Sequence, residues 1–141
     1  MTAQELYQEV ILEHGRFPRN ASLLLHPTHQ AEGSQPLCGD LCTMHCVVQN
    51  GVLTDIGWEG QGCVLSRASA SLLSEYVQGK TETELRQVTL EVTEFFLKKG
   101  DQPLCRELEI LAPVRALPLR VKCVLLPWQT LKQALHLDLS L

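Results

Sequence analysis

The stretch Asp40-Leu41-Cys42-Thr43-Met44-His45-Cys46-Val47-Val48-Gln49, continued by Asn50-Gly51 and Val52-Leu53-Thr54-Asp55-Ile56-Gly57-Trp58-Glu59, decides the fold. Cys42, Met44, Cys46 and Val48 alternate with Thr43, His45 and Val47, the period-2 pattern of a strand with one buried face. Asn50-Gly51 tolerates the two positive φ angles of a type I′ turn, so the return strand should place Val52, Thr54, Ile56 and Trp58 on one face. Gly60-Gln61-Gly62 then breaks the pattern immediately before Cys63.

Helices are expected on both sides of this hairpin. Thr2 and Glu5 fit a capping box, followed by an apolar stripe of Leu6, Tyr7, Val10, Ile11 and His14 that stops at Gly15 and Phe17-Pro18. The polar stretch from Arg19 to Leu37, with Pro27, Gly33 and Pro36, has no lasting period and reads as an extended loop. Small residues from Ala68 to Ser71 ahead of Leu72, Leu73, Tyr76 and Val77 suit a closely packed helix capped by Ser66 and ended by Gly79. A second capping box, Thr81 to Glu84, starts a helix through Leu85, Val88, Val92, Phe95 and Phe96 to Gly100. A shorter helix spans Leu104 to Ala112, stopped by Pro113, and a last one begins at Pro118 and runs through Cys123 toward His136. Pro127 removes the amide that would bond the Cys123 carbonyl, which predicts a kink or broken turn after that cysteine. Helix, strands, then several helices in 141 residues point to one α+β domain over residues 1–141, a small antiparallel β-sheet with helices packed on one face.

Composition narrows the function classes. A net charge of -4 without a polybasic run argues against nucleic acid and anionic lipid as partners. The acidic, polar N-terminal stretch is no signal sequence and no long apolar run occurs, so a cytoplasmic protein is expected. In a reducing compartment, six cysteines read as thiols, metal ligands or redox groups rather than disulfides.

Taken singly, these cysteines differ in weight. Cys38, in Pro36-Leu37-Cys38-Gly39-Asp40, has a glycine that lets the chain aim a thiolate and a carboxylate at one point, yet a loop cysteine beside glycine is often an ordinary small buried residue. Cys63 follows the Gly60-Gln61-Gly62 turn and precedes a helix start, whose amides favour a thiolate. Cys123 follows Arg120 and Lys122, whose charges lower a thiol pKa, while Val121, Val124 and Leu125 suit an ordinary core position equally well. A local zinc finger of Cys38, Cys42, His45 and Cys46 fails on geometry. Four extended residues separate two sulfurs by roughly 13 Å, whereas two thiolates on one zinc approach within about 4 Å. Cys42, Cys46 and Cys105 therefore read as core residues, and His14 and His45 as packed or solvated side chains. His26 and His29 have no spaced partner, and the chain holds no phosphate loop, nucleophile elbow or His-x-x-x-His pair.

From its first helix to Trp128 the chain resembles the U-type iron–sulfur cluster assembly scaffolds (SufU, IscU and the N-terminal part of NifU), the SufU branch more than the IscU branch. The resemblance rests on Leu6-Tyr7 and His14 leading to Pro18-Arg19-Asn20, on Cys38-Gly39-Asp40, on Gly60-Gln61-Gly62-Cys63 with Ser66-Arg67-Ala68-Ser69-Ala70-Ser71, and on Arg120-Val121-Lys122-Cys123 with Trp128. Lys122 before the last cysteine and the long Thr81–Pro118 insertion are the SufU-like features. The resemblance implies that Cys38, Asp40, Cys63 and Cys123 are metal ligands, for zinc or, through the cysteines, for a transient [2Fe–2S] cluster passed to acceptor proteins. It further implies sulfur received as persulfide from a pyridoxal-phosphate cysteine desulfurase of the SufS type. The flexible Gly39 after Cys38 and the loop before it make Cys38 the expected acceptor, and Arg120 and Lys122 either face solvent or, the favoured reading, stabilise thiolate charge modestly. Such a chain is a sulfurtransferase-like accessory of the desulfurase rather than a stand-alone enzyme. A purely structural zinc domain is the more distant reading. Gly15, where relatives commonly have tyrosine, the extra Cys42 and Cys46, and Pro127 depart from the family pattern.

Overall fold

A computed structural model describes residues 2–97 and 104–137. In chain order these form α1 (Ala3–Arg16), β1 (His29–Gln35), β2 (Asp40–Gln49), β3 (Val52–Gln61), α2 (Val64–Val77), α3 (Glu82–Phe96), a 3₁₀ helix (Arg106–Ala116) and α4 (Pro118–Ala134). The strands make one antiparallel sheet in the order β1-β2-β3. The expected α+β layering is present: Cys42, Met44 and Cys46 turn to a core shared with Trp58, Leu73, Val124, Trp128 and Leu131. Among the described residues no helix is long and apolar enough to cross a membrane.

The hairpin forms as read, with Asn50 and Gly51 at φ 53° and 76°. Its inner face is corrected at one point. The register slips between Val47 and Val48, so that Val47 faces Asp55 and Val48 faces Leu53. Thr54 is thus the extra residue of a bulge, its hydroxyl donating to the Val47 carbonyl at 3.3 Å, and Leu53 takes the buried place expected of Thr54.

The loop expected between Arg19 and Leu37 is in part a strand. β1 pairs with β2 from His29 opposite Cys46 to Gln35 opposite Asp40. Its sequence is polar because it is an edge strand against which α4 packs directly: a methyl group on Gly33 would overlap the Thr130 hydroxyl and crowd Leu126. The rest of the segment is tied to the sheet, where the Asn20 carbonyl accepts the Trp58 amide at 3.1 Å and the Cys46 carbonyl accepts the Thr28 amide at 2.9 Å.

Gly15 does not end α1, which continues to Arg16. It is the crossing point with α2, where an added methyl would overlap the Val64 side chain. Alanine exceeds glycine in helix propensity by about 1 kcal/mol, but overpacking against a β-branched residue costs about 1–3 kcal/mol. Gly15→Ala is therefore expected to lower the unfolding free energy, and the loss should vanish in a Val64→Ala background. Urea denaturation of the four chains of that cycle checks it; simple additivity would refute the contact.

Helix boundaries shift for local reasons. Thr2 accepts the Glu5 amide at 3.1 Å, and at α3 both halves of the Thr81–Glu84 capping box form. The expected stop at Gly100 lies outside the described residues. α2 begins at Val64, two residues before the expected Ser66 cap, with Cys63 itself as N-cap. The segment expected as a helix from Leu104 to Ala112 is a 3₁₀ helix that passes through Pro113, and Leu108, Leu111 and Val114 are buried at the three-residue spacing that such a helix stacks on one side. α4 starts with Pro118 and continues across Pro127, so the break expected after Cys123 does not occur. Burial on the sheet and α2 holds it, and the Val124 carbonyl accepts the Ser69 hydroxyl at 2.7 Å.

Candidate metal centre

Three chain segments carry the predicted residues to one point. Cys38 lies in the turn between β1 and β2, where the Gln35 carbonyl accepts the Cys38 amide and Gly39 takes φ 69°. Asp40 opens β2, Cys63 caps α2, and Cys123 lies in the second turn of α4. The ligand atoms of Cys38, Asp40 and Cys123 fall within 4.8 Å of one another, with the Cys38 and Cys123 sulfurs 3.1 Å apart. Cys63 joins through Asp40: its amide donates to Oδ1 at 2.8 Å and its thiol to Oδ2 at 3.4 Å. Asp40 and Cys123 are fully buried, whereas Cys38 and Cys63 keep partial access to solvent.

Gly62 makes this junction possible. It has φ 125°, and any Cβ there would occupy the space of the Asp40 carboxylate. With hydrogen in that place, the carboxylate reaches the Cys63 amide at the start of α2, where the helix dipole favours a negative group. Burial pushes the Cys123 thiol up, and the adjoining Cys38, Asp40 and Cys63 push it further. A buried thiol held in its neutral form among three further donors is a group that a bound cation would relieve. Three sulfurs and one carboxylate fit a tetrahedral zinc set in number and type.

Cys42 and Cys46 stay out of the site. Both face the core from β2, and burial raises their thiols to about 11 and about 12. Cys105 immediately precedes the 3₁₀ helix, packs partly against the core and bonds the Tyr76 side chain. Arg120 and Lys122 are exposed on the turn of α4 that carries Cys123.

A second group of predicted residues is structural. His14 is buried, with Nδ1 2.7 Å from the Ser71 hydroxyl. That oxygen also accepts the Arg19 amide at 2.9 Å. The Arg19 carbonyl accepts the Trp58 indole N–H at 2.8 Å, which fixes the chain after α1 to both α2 and the sheet. Burial first, then the Arg19 charge, lowers the His14 pKa from 6.5. A base whose folded pKa is depressed binds fewer protons than the unfolded chain. Its contribution to stability is complete above about pH 6.5 and shrinks as the pH falls toward the folded value. Unfolding free energy is expected to decline between about pH 7 and 5, and His14→Gln should flatten that slope; an unchanged slope would refute it.

The comparisons agree with this geometry. The family described as NifU-like N terminal domain matches residues 6–136. The iron–sulfur cluster assembly scaffold protein IscU of Thermotoga maritima is 33% identical over 136 residues, covering 96% of each chain. The zinc-dependent sulfurtransferase SufU of Bacillus subtilis is 31% identical over 130 residues, covering 91% of this chain and 88% of that one. Among solved structures, a protein described as a cluster assembly scaffold of the SUF system from Fervidobacterium islandicum superposes with a TM-score of 0.85 at 29% identity, over 95% of this chain and 99% of that one.

Proposed function

Because the chain belongs to the NifU-like N-terminal domain family, we propose that it is an iron–sulfur cluster assembly protein that binds zinc through Cys38, Asp40, Cys63 and Cys123 and accepts persulfide sulfur at Cys38. The observation that carries this reading is the convergence of Cys38, Asp40 and Cys123, with Cys63 held on Asp40, from three distant stretches of chain. Relatives named for cluster scaffolding and for zinc-dependent sulfur transfer support it.

Zinc, when bound, would keep the thiols deprotonated at neutral pH and hold the turns together. Asp40 is the replaceable member, since a hard carboxylate holds zinc less firmly than thiolate. Its hydrogen bond to the Cys63 amide keeps it in place while Cys38 moves. Cys38 is a partly exposed sulfur on a turn, so it can swing outward. Its thiolate attacks the outer sulfur of a desulfurase persulfide; the new S–S bond forms on Cys38, the old one breaks, and the donor cysteine leaves as thiolate. Arg120 and Lys122 offer positive charge on the turn of α4 beside that exchange.

The partner is a pyridoxal-phosphate cysteine desulfurase of the SufS type, followed by cluster assembly or acceptor proteins. Exposed apolar side chains support a protein docking here: Leu37 (72% exposed), Leu41 (50%) and Val64 (38%) adjoin Cys38, Asp40 and Cys63 in sequence, and Leu119 (70%) lies one turn before Cys123. Free thiols of this kind belong in a reducing compartment such as the cytoplasm.

The test is transfer of labelled sulfur from a persulfide-charged desulfurase to the anaerobically purified chain, with metal and acid-labile sulfide measured on the same sample. Zinc without sulfide, and acceptance lost in Cys38→Ser, are expected. Wild-type acceptance by Cys38→Ser would remove that residue from the role, and iron with matching sulfide would identify a [2Fe–2S] scaffold instead.

A further inference from the structure

The four residues of the metal centre fall into two pairs. Cys63 belongs to Asp40, its amide donating to Oδ1 at 2.8 Å and its thiol to Oδ2 at 3.4 Å. Cys38 belongs to Cys123, the two sulfurs lying 3.1 Å apart although 85 positions separate them in sequence. Both share a group of ligand atoms within 4.8 Å with Asp40, which Cys63 does not join. A disulfide has its sulfurs about 2.05 Å apart, so those of Cys38 and Cys123 need to approach by only about 1 Å to bond.

The two cysteines suit complementary halves of such a reaction. Cys38 is partly exposed on the turn between β1 and β2, open to a small oxidant, whereas Cys123 is fully buried and meets only what its neighbours present. The turn is the side that can give, since Gly39 has φ 69° and nothing lies within 4 Å of its Cβ position. The α4 side is fixed, with the Val124 carbonyl held by the Ser69 hydroxyl. The other thiols are engaged elsewhere: Cys42 and Cys46 face the core from β2, Cys63 is on Asp40, and Cys105 bonds Tyr76.

We infer that Cys38 and Cys123, set sulfur to sulfur across the β1–β2 turn and α4, form a reversible redox pair that hydroperoxides close to a disulfide. The Cys38 thiolate attacks one peroxide oxygen; the O–O bond breaks, Cys38 becomes a sulfenic acid and hydroxide leaves. Cys123 then attacks that sulfur. The S–S bond forms, the S–O bond breaks, and the sulfenic hydroxyl departs with the Cys123 thiol proton as water. The two sulfurs together give up two electrons, and the peroxide takes them. A bond between these sulfurs and a cation between them exclude each other, so closure releases the metal and ties the turn to α4. Disulfides of reducing compartments are of this transient, redox-sensing kind. Closure also removes the Cys38 thiolate from sulfur acceptance; that consequence rests on the function proposed above, whereas the disulfide itself does not.

The experiment treats the full chain, purified anaerobically with its metal, with hydrogen peroxide. Remaining thiols are blocked with N-ethylmaleimide under denaturing conditions, and the peptides are mapped by mass spectrometry. One intramolecular link, Cys38 to Cys123, is expected, with Cys42, Cys46 and Cys63 recovered as maleimide adducts. Metal should leave in step with the link, and dithiothreitol with added metal should reverse both. Cys63→Ser should still form the link, and Cys38→Ser should form none. A principal link through Cys63, sulfinic acid at Cys38 without a link, or a Cys38 that resists peroxide would each overturn the assignment. Sulfur acceptance is measured in parallel on untreated and oxidised chain, and its loss only after oxidation is expected. Failure of the untreated chain to accept sulfur would overturn the proposed function and leave the mapped disulfide standing.

Discussion

Cys123→Ser is expected to lose its zinc, the bound metal falling from about one ion per chain to a small fraction and the affinity by about 100-fold or more. Cys123 is fully buried, and its sulfur lies 3.1 Å from that of Cys38, at the centre of the gathered donors. Serine is a poor ligand because its hydroxyl keeps its proton near neutral pH. The informative control is Cys42→Ser. Cys42 is only two residues from Asp40, but β2 turns it inward to the core, where its thiol is raised to about 11 by burial. That variant should keep its zinc and lose about 1–3 kcal/mol of stability through the buried hydroxyl. Chelator competition and thermal unfolding on the two variants read out opposite patterns. Zinc retained by Cys123→Ser, or lost by Cys42→Ser, would show that the ligand set has been misassigned.

Gly62→Ala is expected to be the most damaging single methyl in the protein. Two costs add at this residue. A φ of 125° is strained for any side chain, by about 1–3 kcal/mol, and the new Cβ would displace the Asp40 carboxylate, so the Cys63 amide loses its acceptor, for about 1–3 kcal/mol more. A loss of about 2–6 kcal/mol with weakened zinc binding is expected. Gly39→Ala is the matched comparison, since Gly39 also has positive φ, 69°, but nothing lies within 4 Å of its Cβ position. It should show the conformational cost alone, about 1 kcal/mol, and keep its metal. Equal effects at the two glycines would mean that the contact with Asp40 contributes nothing.

These glycines show how the candidate site was only half legible. Cys38, Asp40, Cys63 and Cys123 are the residue types that metal chemistry requires, and the family resemblance singled them out. The reason for Gly62 was hidden, because Gly60-Gln61-Gly62 reads as a strand break, whereas its role is to leave room for a carboxylate on a residue 22 positions earlier.

The features that local pattern determined are those whose energetics are complete within a few residues. The Asn50-Gly51 turn follows from two positive φ angles, the Thr81–Glu84 cap from amides a helix start leaves exposed, and the inward Cys42-Met44-Cys46 face from the two-residue period of a strand. Tertiary structure decided the features whose stabilisation is supplied by distant partners. β1 is a strand because α4 packs against Gly33, α4 continues across Pro127 because the core and Ser69 hold it, and Leu53 replaces Thr54 inside because a bulge shifts the register. Backbone groups that lose local partners must find them elsewhere, and only the folded chain shows where. For the same reason sequence could nominate three cysteines and an aspartate, but only packing α2 and α4 around the sheet brings Cys38, Asp40 and Cys123 within 4.8 Å and sets Cys63 on the Asp40 carboxylate.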